Sequence, residues 1–233
     1  MAEVLRLADV TAGYGPTVIL EDIALSLTAG SALAILGRNG VGKTTLMRTV
    51  AGHTTLHRGR ILFEGRDMSR LTAWQRARLG IGYVPQEREI FPALSVLENI
   101  TVGARPGPWT VDRLFDLFPS LAARRRNYGD QLSGGEQQML AVARALALQP
   151  TLVLLDEPFE GLAPTIVDTL AAVFAELRRA GLSMLLAEQH ARLALQMTDD
   201  AVALVRGRLV LRAKSRALAE EPAALEDVLT IKG

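Results

Sequence analysis

The chain has 233 residues, of which 49% are hydrophobic, and this length and composition suit one large domain with a sizeable core. Its formal net charge of +1 gives no overall bias toward nucleic acid or an anionic membrane surface. The absence of cysteine excludes a disulfide framework, and no run reaches the ~18 uncharged apolar residues that a membrane span requires. The first residues also lack the apolar stretch of a signal peptide, so we expect any relation to a membrane to pass through a partner.

Five short runs dominated by apolar residues predict the strands of a parallel sheet, which indicates the α/β class. Continuous apolar runs suit strands that are covered on both faces, as the strands of parallel sheets are. The first run leads directly into a glycine-rich loop, and the fourth ends in two carboxylates. The predicted strands are residues 31–36, 60–63, 81–84, 151–155 and 183–187.

The segment between residues 84 and 150 has a different pattern. Apolar residues recur at helical spacing in residues 97–100, 111–118 and 136–148, which predicts a mainly helical insertion between strands of the sheet.

The C-terminal part carries two further predicted elements. Residues 202–205 and 208–211 flank Arg206 and Gly207, a pattern that predicts a β-hairpin. The tail from Lys214 is rich in alanine and glutamate, and we expect it to be helical.

Residues 37–44 fit the phosphate-loop pattern G-x-x-x-x-G-K-[ST] and lie between a predicted strand and a helical run. Glycines let several backbone N–H groups point at one anion, and the helix N-terminus adds its positive end. Lys43 supplies a full charge for the β- and γ-phosphates, and the Thr44 hydroxyl suits Mg²⁺. The residues expected to bind ATP in this region are Gly37, Arg38, Asn39, Gly40, Val41, Gly42, Lys43, Thr44 and Thr45.

Residues 152–157, LVLLDE, form an apolar strand that ends in two carboxylates. The carboxyl ends of strands line the ligand crevice of such a sheet. We therefore expect Asp156 to hold Mg²⁺, directly or through water. Glu157 is the better candidate for orienting or deprotonating the attacking water.

The helical run at residues 131–147 begins in an unusual way. Ser133 is a good N-cap, and Glu136 follows at the spacing of a capping box. Gly134 and Gly135, however, lie in the first turn, where glycine costs stability. Bare backbone at a helix N-terminus permits very close approach to a phosphate, so we expect a phosphate to bind there.

Residues 132–137, LSGGEQ, resemble the signature motif of the ATP-binding cassette (ABC) ATPases, and the resemblance covers nearly the whole chain. Residues 37–44 match the Walker A segment of that family, residues 152–156 match its Walker B strand, and Glu157 matches its catalytic glutamate. All these motifs occur in the order that the family shows.

Two further positions match this family. Gln86 resembles the Q-loop glutamine, which senses Mg²⁺ and the transport partner, and Tyr14 resembles the aromatic residue that stacks on adenine. The cofactors that the resemblance implies are ATP and Mg²⁺. Its Mg²⁺ ligands would be Thr44, Gln86 and Asp156.

The fold that this resemblance implies is a P-loop NTPase of the ABC type with an antiparallel β subdomain and a helical subdomain. We expect residues 1–233 to form a single domain. Residues 1–87 and 149–233 would be the nucleotide-binding core with its antiparallel region, and residues 88–148 would be the helical subdomain with the signature.

In that family, two ATPase subunits face head to tail and clamp two ATP molecules between them. This chain has one phosphate loop and one signature, so by itself it is not a complete two-site machine. A second ABC ATPase subunit, identical or different, is therefore an implied partner. The signature residues that would contact the ATP of that partner are Ser133, Gly134, Gly135, Glu136 and Gln137.

The chain departs from the family pattern at two places. In the family, the D-loop that follows the catalytic glutamate often ends in an aspartate, which makes a contact between the two subunits. Ala163 stands at that position here, which puts this contact in doubt. The family also has a switch histidine, which usually ends a strand. Here Gln189 occupies the aligned position, and His190 follows one residue later. Either side chain could sense the γ-phosphate, and alignment by position favours Gln189.

Residues 161–164, GLAP, and residues 188–189, EQ, resemble one branch of the family, the second ATPase subunit of branched-chain amino acid importers. The resemblance implies ATP hydrolysis that powers import of these or related solutes, such as amides or urea, through membrane permeases. A periplasmic or extracytoplasmic solute-binding protein would be an indirect partner, and the chain would lie peripherally on the cytoplasmic face of the plasma membrane.

Two other functions stay open from the sequence. An ABC exporter ATPase is one, and a soluble ABC ATPase that acts on nucleic acid or the ribosome is the other. Soluble ABC ATPases of that kind commonly carry two cassettes or long coiled-coil insertions, and this chain has neither. We therefore expect no nucleic-acid partner. The mixed apolar and prolyl segment 89–94 predicts a docking site for a permease, with a buried loop as the alternative.

Overall fold

The structure, a computed structural model, describes residues 2–221. Ten strands and nine α-helices are present in this part of the chain. The strands are β1 (Glu3–Tyr14), β2 (Thr17–Thr28), β3 (Ala32–Leu36), β4 (Thr55–Phe63), β5 (Arg66–Asp67), β6 (Ile81–Val84), β7 (Leu152–Asp156), β8 (Ser183–Glu188), β9 (Asp200–Val205) and β10 (Arg208–Lys214).

Four of the nine helices lie between β6 and β7, where the sequence predicts a mainly helical insertion. A 3₁₀ turn at Gly129–Gln131 precedes the last helix of that group. The helices are α1 (Lys43–Ala51), α2 (Ala73–Leu79), α3 (Val96–Thr101), α4 (Val111–Leu117), α5 (Pro119–Ala123), α6 (Gly134–Ala147), α7 (Pro164–Arg179), α8 (Ala191–Met197) and α9 (Ser215–Glu220).

The strands form two sheets. One is antiparallel with the order β2-β1-β4-β5, and the other has six strands in the order β10-β9-β3-β8-β7-β6. Within the second sheet only β10 runs antiparallel to its neighbour. Every residue of β3 and β7 is buried, as the continuous apolar runs predict for strands covered on both faces.

The six-stranded sheet has a hydrophobic core on each face, and the side chains of β3 alternate between them. Leu33 and Ile35 pack with α1 and the antiparallel sheet. Ala34 and Leu36 pack with α6 and α7 on the opposite face. The helix that follows the phosphate loop therefore lies between the two sheets.

Most predicted elements are confirmed, with differences at their ends. The strand at 81–84 matches β6 at both ends, and the hairpin pairs Arg208 with Val205 around the predicted turn. The strand predicted at 60–63 is only the last part of β4. Residues 55–59 form its first part, and they are mostly polar and exposed, so they lack the apolar pattern that predicts a strand. Of the predicted C-terminal helix, α9 is present, and the remainder lies outside the described residues.

Three strands bring the candidate site residues to one edge. Strands β3, β8 and β7 are parallel neighbours, and the register pairs Leu36 with Glu188 and Ala187 with Asp156. The loops that begin at residues 37, 157 and 189 therefore meet at the carboxyl edge, where ligands bind in sheets of this kind. Among residues 2–221, no helix has the length and apolar character needed to cross a bilayer.

Candidate nucleotide-binding and hydrolysis site

The phosphate loop is held in an open turn between β3 and α1. Gly40 and Gly42 have φ angles of 80° and 111°, in the left-handed region that favours glycine, and Gly42 is the N-cap of α1. At Gly37, a Cβ atom would lie 2.7 Å from the carbonyl oxygen of Leu204, so this position also requires bare backbone. The loop conformation thus depends on the glycines that the motif specifies.

A cavity of about 410 Å³ opens against this loop. Glu157 and Gln86 reach it from the loops after β7 and β6. Ile19 of β2 also lines it, and no local pattern in the sequence marks this residue, because only the fold brings β2 beside the phosphate loop. The complete lining is Ile19, Asn39, Gly40, Gly42, Lys43, Thr44, Thr45, Gln86 and Glu157.

Lys43 lies at the centre of the loop and is almost fully buried. Its ammonium group donates to the carbonyl oxygens of Gly37 at 2.8 Å and Arg38 at 3.0 Å. It also forms an ion pair with Glu157, with 2.9 Å between Nζ and Oε1. The predicted phosphate-binding cation and the predicted catalytic carboxylate are thus in direct contact.

Asp156 is buried at the end of β7 and accepts hydrogen bonds from two hydroxyl groups. Thr44 Oγ1 lies 3.2 Å from Oδ1, and Tyr83 Oη lies 3.2 Å from Oδ2. Burial raises the pKa of Asp156 to about 6, although both hydrogen bonds lower it. Sequence reasoning missed Tyr83, which reaches Asp156 because β6 and β7 are paired.

The donor set at this position fits Mg²⁺ bound together with a nucleotide. Thr44 and Asp156 present a hydroxyl and a carboxylate to each other, and Gln86 lines the same cavity. Within the described chain, no group of three or more His, Cys, Asp or Glu residues could hold a metal by itself. Mg²⁺ needs no such cage, since it is commonly held by one or two carboxylates together with substrate phosphates.

The loop after β6 is strained and tied to the loop after β7. Arg88 and Glu89 have φ angles of 63° and 45°, which are unfavourable for residues with side chains. Gln86 Nε2 donates to a carboxylate oxygen of Glu160. This hydrogen bond joins the loop after β6 to the loop after β7.

Tyr14 ends β1 and is 41% exposed. It does not line the cavity beside the phosphate loop. Hydrogen bonds with Tyr14 and Tyr83 raise the pKa of the Arg48 guanidinium above its usual range.

The segment after β8 holds the two candidates for the γ-phosphate sensor. Gln189 and His190 are both exposed, and His190 is the N-cap residue of α8. Neither side chain lines the cavity beside the phosphate loop. Both residues remain candidates.

Glu188, immediately before them, is a buried carboxyl group that sequence reasoning did not select. Burial raises its pKa to about 7. An acidic residue at the end of the apolar run 183–187 was the available signal.

The signature helix α6 begins as the sequence predicts. The Ser133 hydroxyl accepts from the Glu136 N–H at 3.3 Å, and the Glu136 carboxylate accepts from the Ser133 N–H at 2.8 Å, which completes the capping box. Arg124 also pairs with Glu136 at 2.6 Å. None of residues 133–137 lines the cavity of the same chain.

Gly135 has a packing role within the chain that the sequence did not reveal. A Cβ atom there would lie 2.8 Å from Cγ1 of Ile166 on α7. A side chain at this position would force Ile166 to shift, so packing within the same chain favours glycine independently of any phosphate.

Ala163 is the N-cap residue of α7 and makes no side-chain capping hydrogen bond. Pro164 follows at the first helical position, where its missing N–H is harmless. Helix α7, the first helix after β7, thus begins without a side-chain cap.

The predicted docking segment, residues 89–94, is fixed in shape and partly exposed. The Asn99 side chain accepts from the Phe91 N–H and donates to the carbonyl oxygens of Phe91 and Leu94, each at 2.9 Å. Phe91 is 44% exposed, and the Arg144 guanidinium lies 4.3 Å from its ring centre. The segment is thus an ordered surface loop beside α6.

The family model described as ABC transporter matches residues 20–160, which include the phosphate loop, the signature and both strand-end carboxylates. The chain belongs to this family. Its members are ATPases whose subunits dimerise and work with membrane permeases, and this chain is accordingly an ATP-binding subunit that hydrolyses ATP.

Two relatives carry names from branched-chain amino acid transport. The high-affinity branched-chain amino acid transport ATP-binding protein BraG of Pseudomonas aeruginosa is 37% identical over 217 residues, covering 90% of this chain and 92% of BraG. The probable branched-chain amino acid transport ATP-binding protein LivF of Archaeoglobus fulgidus is 35% identical over 226 residues, covering 93% and 94%.

The lipopolysaccharide export ATP-binding protein LptB of Acidithiobacillus ferridurans is 31% identical over 228 residues and covers 95% of each chain. Among solved structures, the dimeric post-hydrolysis state of the ATP-binding cassette MJ0796, bound to ADP and Pi, superimposes with a TM-score of 0.79. At 22% identity over 91% of this chain and 99% of that one, this similarity shows the fold. The predicted fold class is confirmed.

Proposed function

We propose that this chain powers the import of branched-chain amino acids or related small solutes through membrane permeases. The observation that carries the proposal is its identity of 35–37% with BraG and LivF over at least nine tenths of the chain. The GLAP and EQ segments support the same branch.

In the proposed mechanism, the phosphate-loop backbone and Lys43 hold the β- and γ-phosphates of ATP. Thr44, Asp156 and Gln86 would hold Mg²⁺, which when bound neutralises negative charge on the phosphates. Glu157 lines the same cavity and orients or deprotonates the attacking water. The ion pair of Glu157 with Lys43 supports this assignment, because it places the carboxylate beside the group that meets the phosphates.

The ATP site is proposed to be shared between two ATPase subunits. The signature residues 133–137 lie outside the cavity of their own chain, which supports a role at the nucleotide of a partner. The MJ0796 cassette, a dimer bound to ADP and Pi, supports the same arrangement. Tyr14 is proposed to stack on adenine, and Gln189 or His190 to sense the γ-phosphate.

The permeases are proposed to dock on residues 89–94 from the membrane side, with the chain on the cytoplasmic face. The exposed Phe91 and the fixed loop shape support this assignment. A solute-binding protein outside the membrane would deliver the solute.

Export is the second candidate, because LptB matches 95% of this chain at 31% identity. Direction of transport distinguishes the two. We would purify the tagged chain from detergent-solubilised membranes, identify the co-purified permeases by mass spectrometry, and reconstitute the complex in vesicles. ATP-dependent uptake of radiolabelled leucine from a binding protein supports import, and ATP-dependent release of a solute or lipid supports export.

A matched complex that carries Glu157→Gln serves as the control in this assay. It should assemble with the same permeases and lose transport. Co-purification of no permease at all would contradict both transport functions.

A further inference from the structure

The two-residue turn between β9 and β10 lies against the phosphate loop, and the proposed mechanism gives it no role. Arg206 and Gly207 have φ angles of 47° and 74°, and positive φ at both central residues is the feature of a type I′ hairpin turn. Arg206 is exposed, whereas Gly207 is buried. Connecting segments normally face solvent, so the surroundings of Gly207 indicate what this turn does.

Gly207 joins two segments that border the nucleotide cavity. Its N–H donates to the carbonyl oxygen of Val41, inside the phosphate loop, at 2.9 Å. Its carbonyl oxygen accepts from the Glu21 N–H of β2, also at 2.9 Å. The turn therefore lies between the phosphate loop and the strand that contributes Ile19 to the cavity lining.

The hairpin also packs closely against the backbone on both sides. A Cβ atom at Gly207 would lie 1.9 Å from the carbonyl oxygen of Ile19, so this position has no room for a side chain. The carbonyl oxygen of Leu204 lies 2.7 Å from the place that a Cβ of Gly37 would take. Residues of β9, the turn and β2 are thus in direct contact with one another and with the phosphate loop.

Side chains hold the hairpin along β2, but they do not reach the phosphate loop. Arg208 pairs with Glu21, and with Asp22 at 3.5 Å. These groups are about half exposed, so each pair contributes little stability by itself. Val41 occupies an unspecified position of the phosphate-loop pattern, and Gly207 contacts its backbone. The hydrogen bonds of Gly207 are therefore the part of the hairpin that acts on the loop.

We propose that Gly207 is a positioning residue for ATP binding, which sets the separation between the phosphate loop and the Ile19 wall of the cavity. It acts through the backbone of Val41 and Glu21 and does not itself line the cavity. A loop that is already in its binding conformation needs less ordering when the phosphates bind, which favours affinity. The inference rests on the proposed function, in which the phosphate loop holds the β- and γ-phosphates.

The test compares matched glycine substitutions in two hairpin turns of the full-length chain. Glu64 and Gly65, between β4 and β5, have φ angles of 49° and 77°, close to those of the β9–β10 turn. A Cβ atom at Gly65 would meet nothing within 4 Å. Gly65→Ala therefore introduces a similar backbone strain to Gly207→Ala without any contact with the phosphate loop.

Gly207→Ala forces the turn away from β2 and from Val41. We expect the Kd for ADP with Mg²⁺, measured by calorimetric titration, and the KM for ATP to rise about 10-fold or more, as is typical of coupled sites. The kcat at saturating ATP should change little, because binding is what is lost. Gly65→Ala should leave both constants unchanged. An unchanged Kd in a folded Gly207→Ala protein, or an equal rise in Gly65→Ala, would overturn the proposal.

Hydrogen exchange in the unsubstituted chain decides if Gly207→Ala fails to fold. Because coupling is reciprocal, a nucleotide that binds better to the positioned loop must also stabilise the contacts that position it. Saturating ADP with Mg²⁺ should therefore slow exchange at the Gly207 and Glu21 amides about 10-fold or more beyond any change at Met68. The Met68 N–H donates to the Ile61 carbonyl oxygen beside the other turn and serves as the reference. Equal changes at the three amides would contradict the coupling.

Lys43→Met, titrated in parallel, separates this inference from the proposed function. Normal ADP affinity in Lys43→Met would refute the role of the phosphate loop. Lost affinity in Lys43→Met together with normal affinity in Gly207→Ala would keep that role and refute only the positioning by Gly207. Thermal unfolding of each variant shows which are folded at the assay temperature.

Discussion

The ammonium group of Lys43 lies 2.9 Å from the Glu157 carboxylate, and the two side chains are only 3% and 7% exposed. This pair connects the phosphate loop to the end of β7 across the cavity in which ATP is proposed to bind. In the proposed mechanism, Lys43 is the cation that pairs with both the phosphates of ATP and Glu157. Substitutions at this pair should therefore change both the stability of the folded chain and its rate of ATP hydrolysis.

The first prediction concerns the cost of breaking this pair. Lys43→Met leaves the Glu157 charge buried without its partner and should destabilise the nucleotide-free protein by about 3–5 kcal/mol. Glu157→Gln should cost less, because Lys43 keeps the carbonyl oxygens of Gly37 and Arg38 as acceptors. Urea unfolding measures both changes.

The double variant Lys43→Met with Glu157→Gln completes a thermodynamic cycle for the same pair. It should be more stable than Lys43→Met alone, because no unpaired charge remains. Simple addition of the two single effects would contradict a direct interaction.

The second prediction concerns turnover. Glu157→Gln keeps the size of the side chain and removes its basicity, so kcat should fall by about 10²–10⁴-fold. ATP binding should persist, since Lys43 is then free of its anionic partner. Phosphate release and calorimetric ATP titration measure the two properties, with Glu220→Gln on α9 as an exposed control. Near-normal hydrolysis by Glu157→Gln would exclude it as the base.

The third prediction separates two reasons for glycine at position 135. Gly135→Ala places a Cβ against Ile166 and should destabilise the chain by about 1–3 kcal/mol, as overpacking does. Combining it with Ile166→Ala removes the clash and should restore stability relative to Gly135→Ala. If the backbone at position 135 also contacts the phosphates of the ATP that the partner subunit holds, ATP hydrolysis by Gly135→Ala with Ile166→Ala should stay low.

Ile166→Ala alone is the reference for that comparison and should retain more hydrolysis than the double variant. Equal activity of the two would mean that packing against Ile166 is the whole reason for the glycine.

The sequence was most informative where function restricts the local pattern. The phosphate loop, the capping box at Ser133 and the apolar strand before Asp156 are each specified by neighbouring residues, and the structure has all three.

The residues that sequence reasoning missed depend on which strands are neighbours. Tyr83 reaches Asp156 because β6 pairs with β7, and Ile19 reaches the cavity because the antiparallel sheet lies beside the phosphate loop. Glu188 becomes significant only when β8 is known to lie between β3 and β7. Such pairings join residues far apart in the chain, and no local spacing encodes them.

The fourth prediction tests the departure at Ala163. An aspartate at this N-cap position can accept from a backbone N–H in the first turn of α7, so Ala163→Asp should stabilise the chain by about 1 kcal/mol. Ala163→Asn should give a similar gain without the charge. Thermal unfolding measures both, and a decrease in stability would show that the cap conformation is inaccessible.

The last prediction concerns pH. Burial raises the pKa of Glu188 from 4.5 to about 7, so the folded chain binds a proton there that the unfolded chain has lost. Its contribution to stability is fully present below pH 4.5 and is lost as the pH rises through about 7. Glu188→Gln cannot titrate, so its stability relative to wild type should increase over this window by as much as about 3 kcal/mol. Because Asp156 titrates in both proteins, its effect cancels in the difference, and urea unfolding between pH 5 and 8 gives the result. A difference that does not change with pH would mean that Glu188 is ionised in the folded chain throughout.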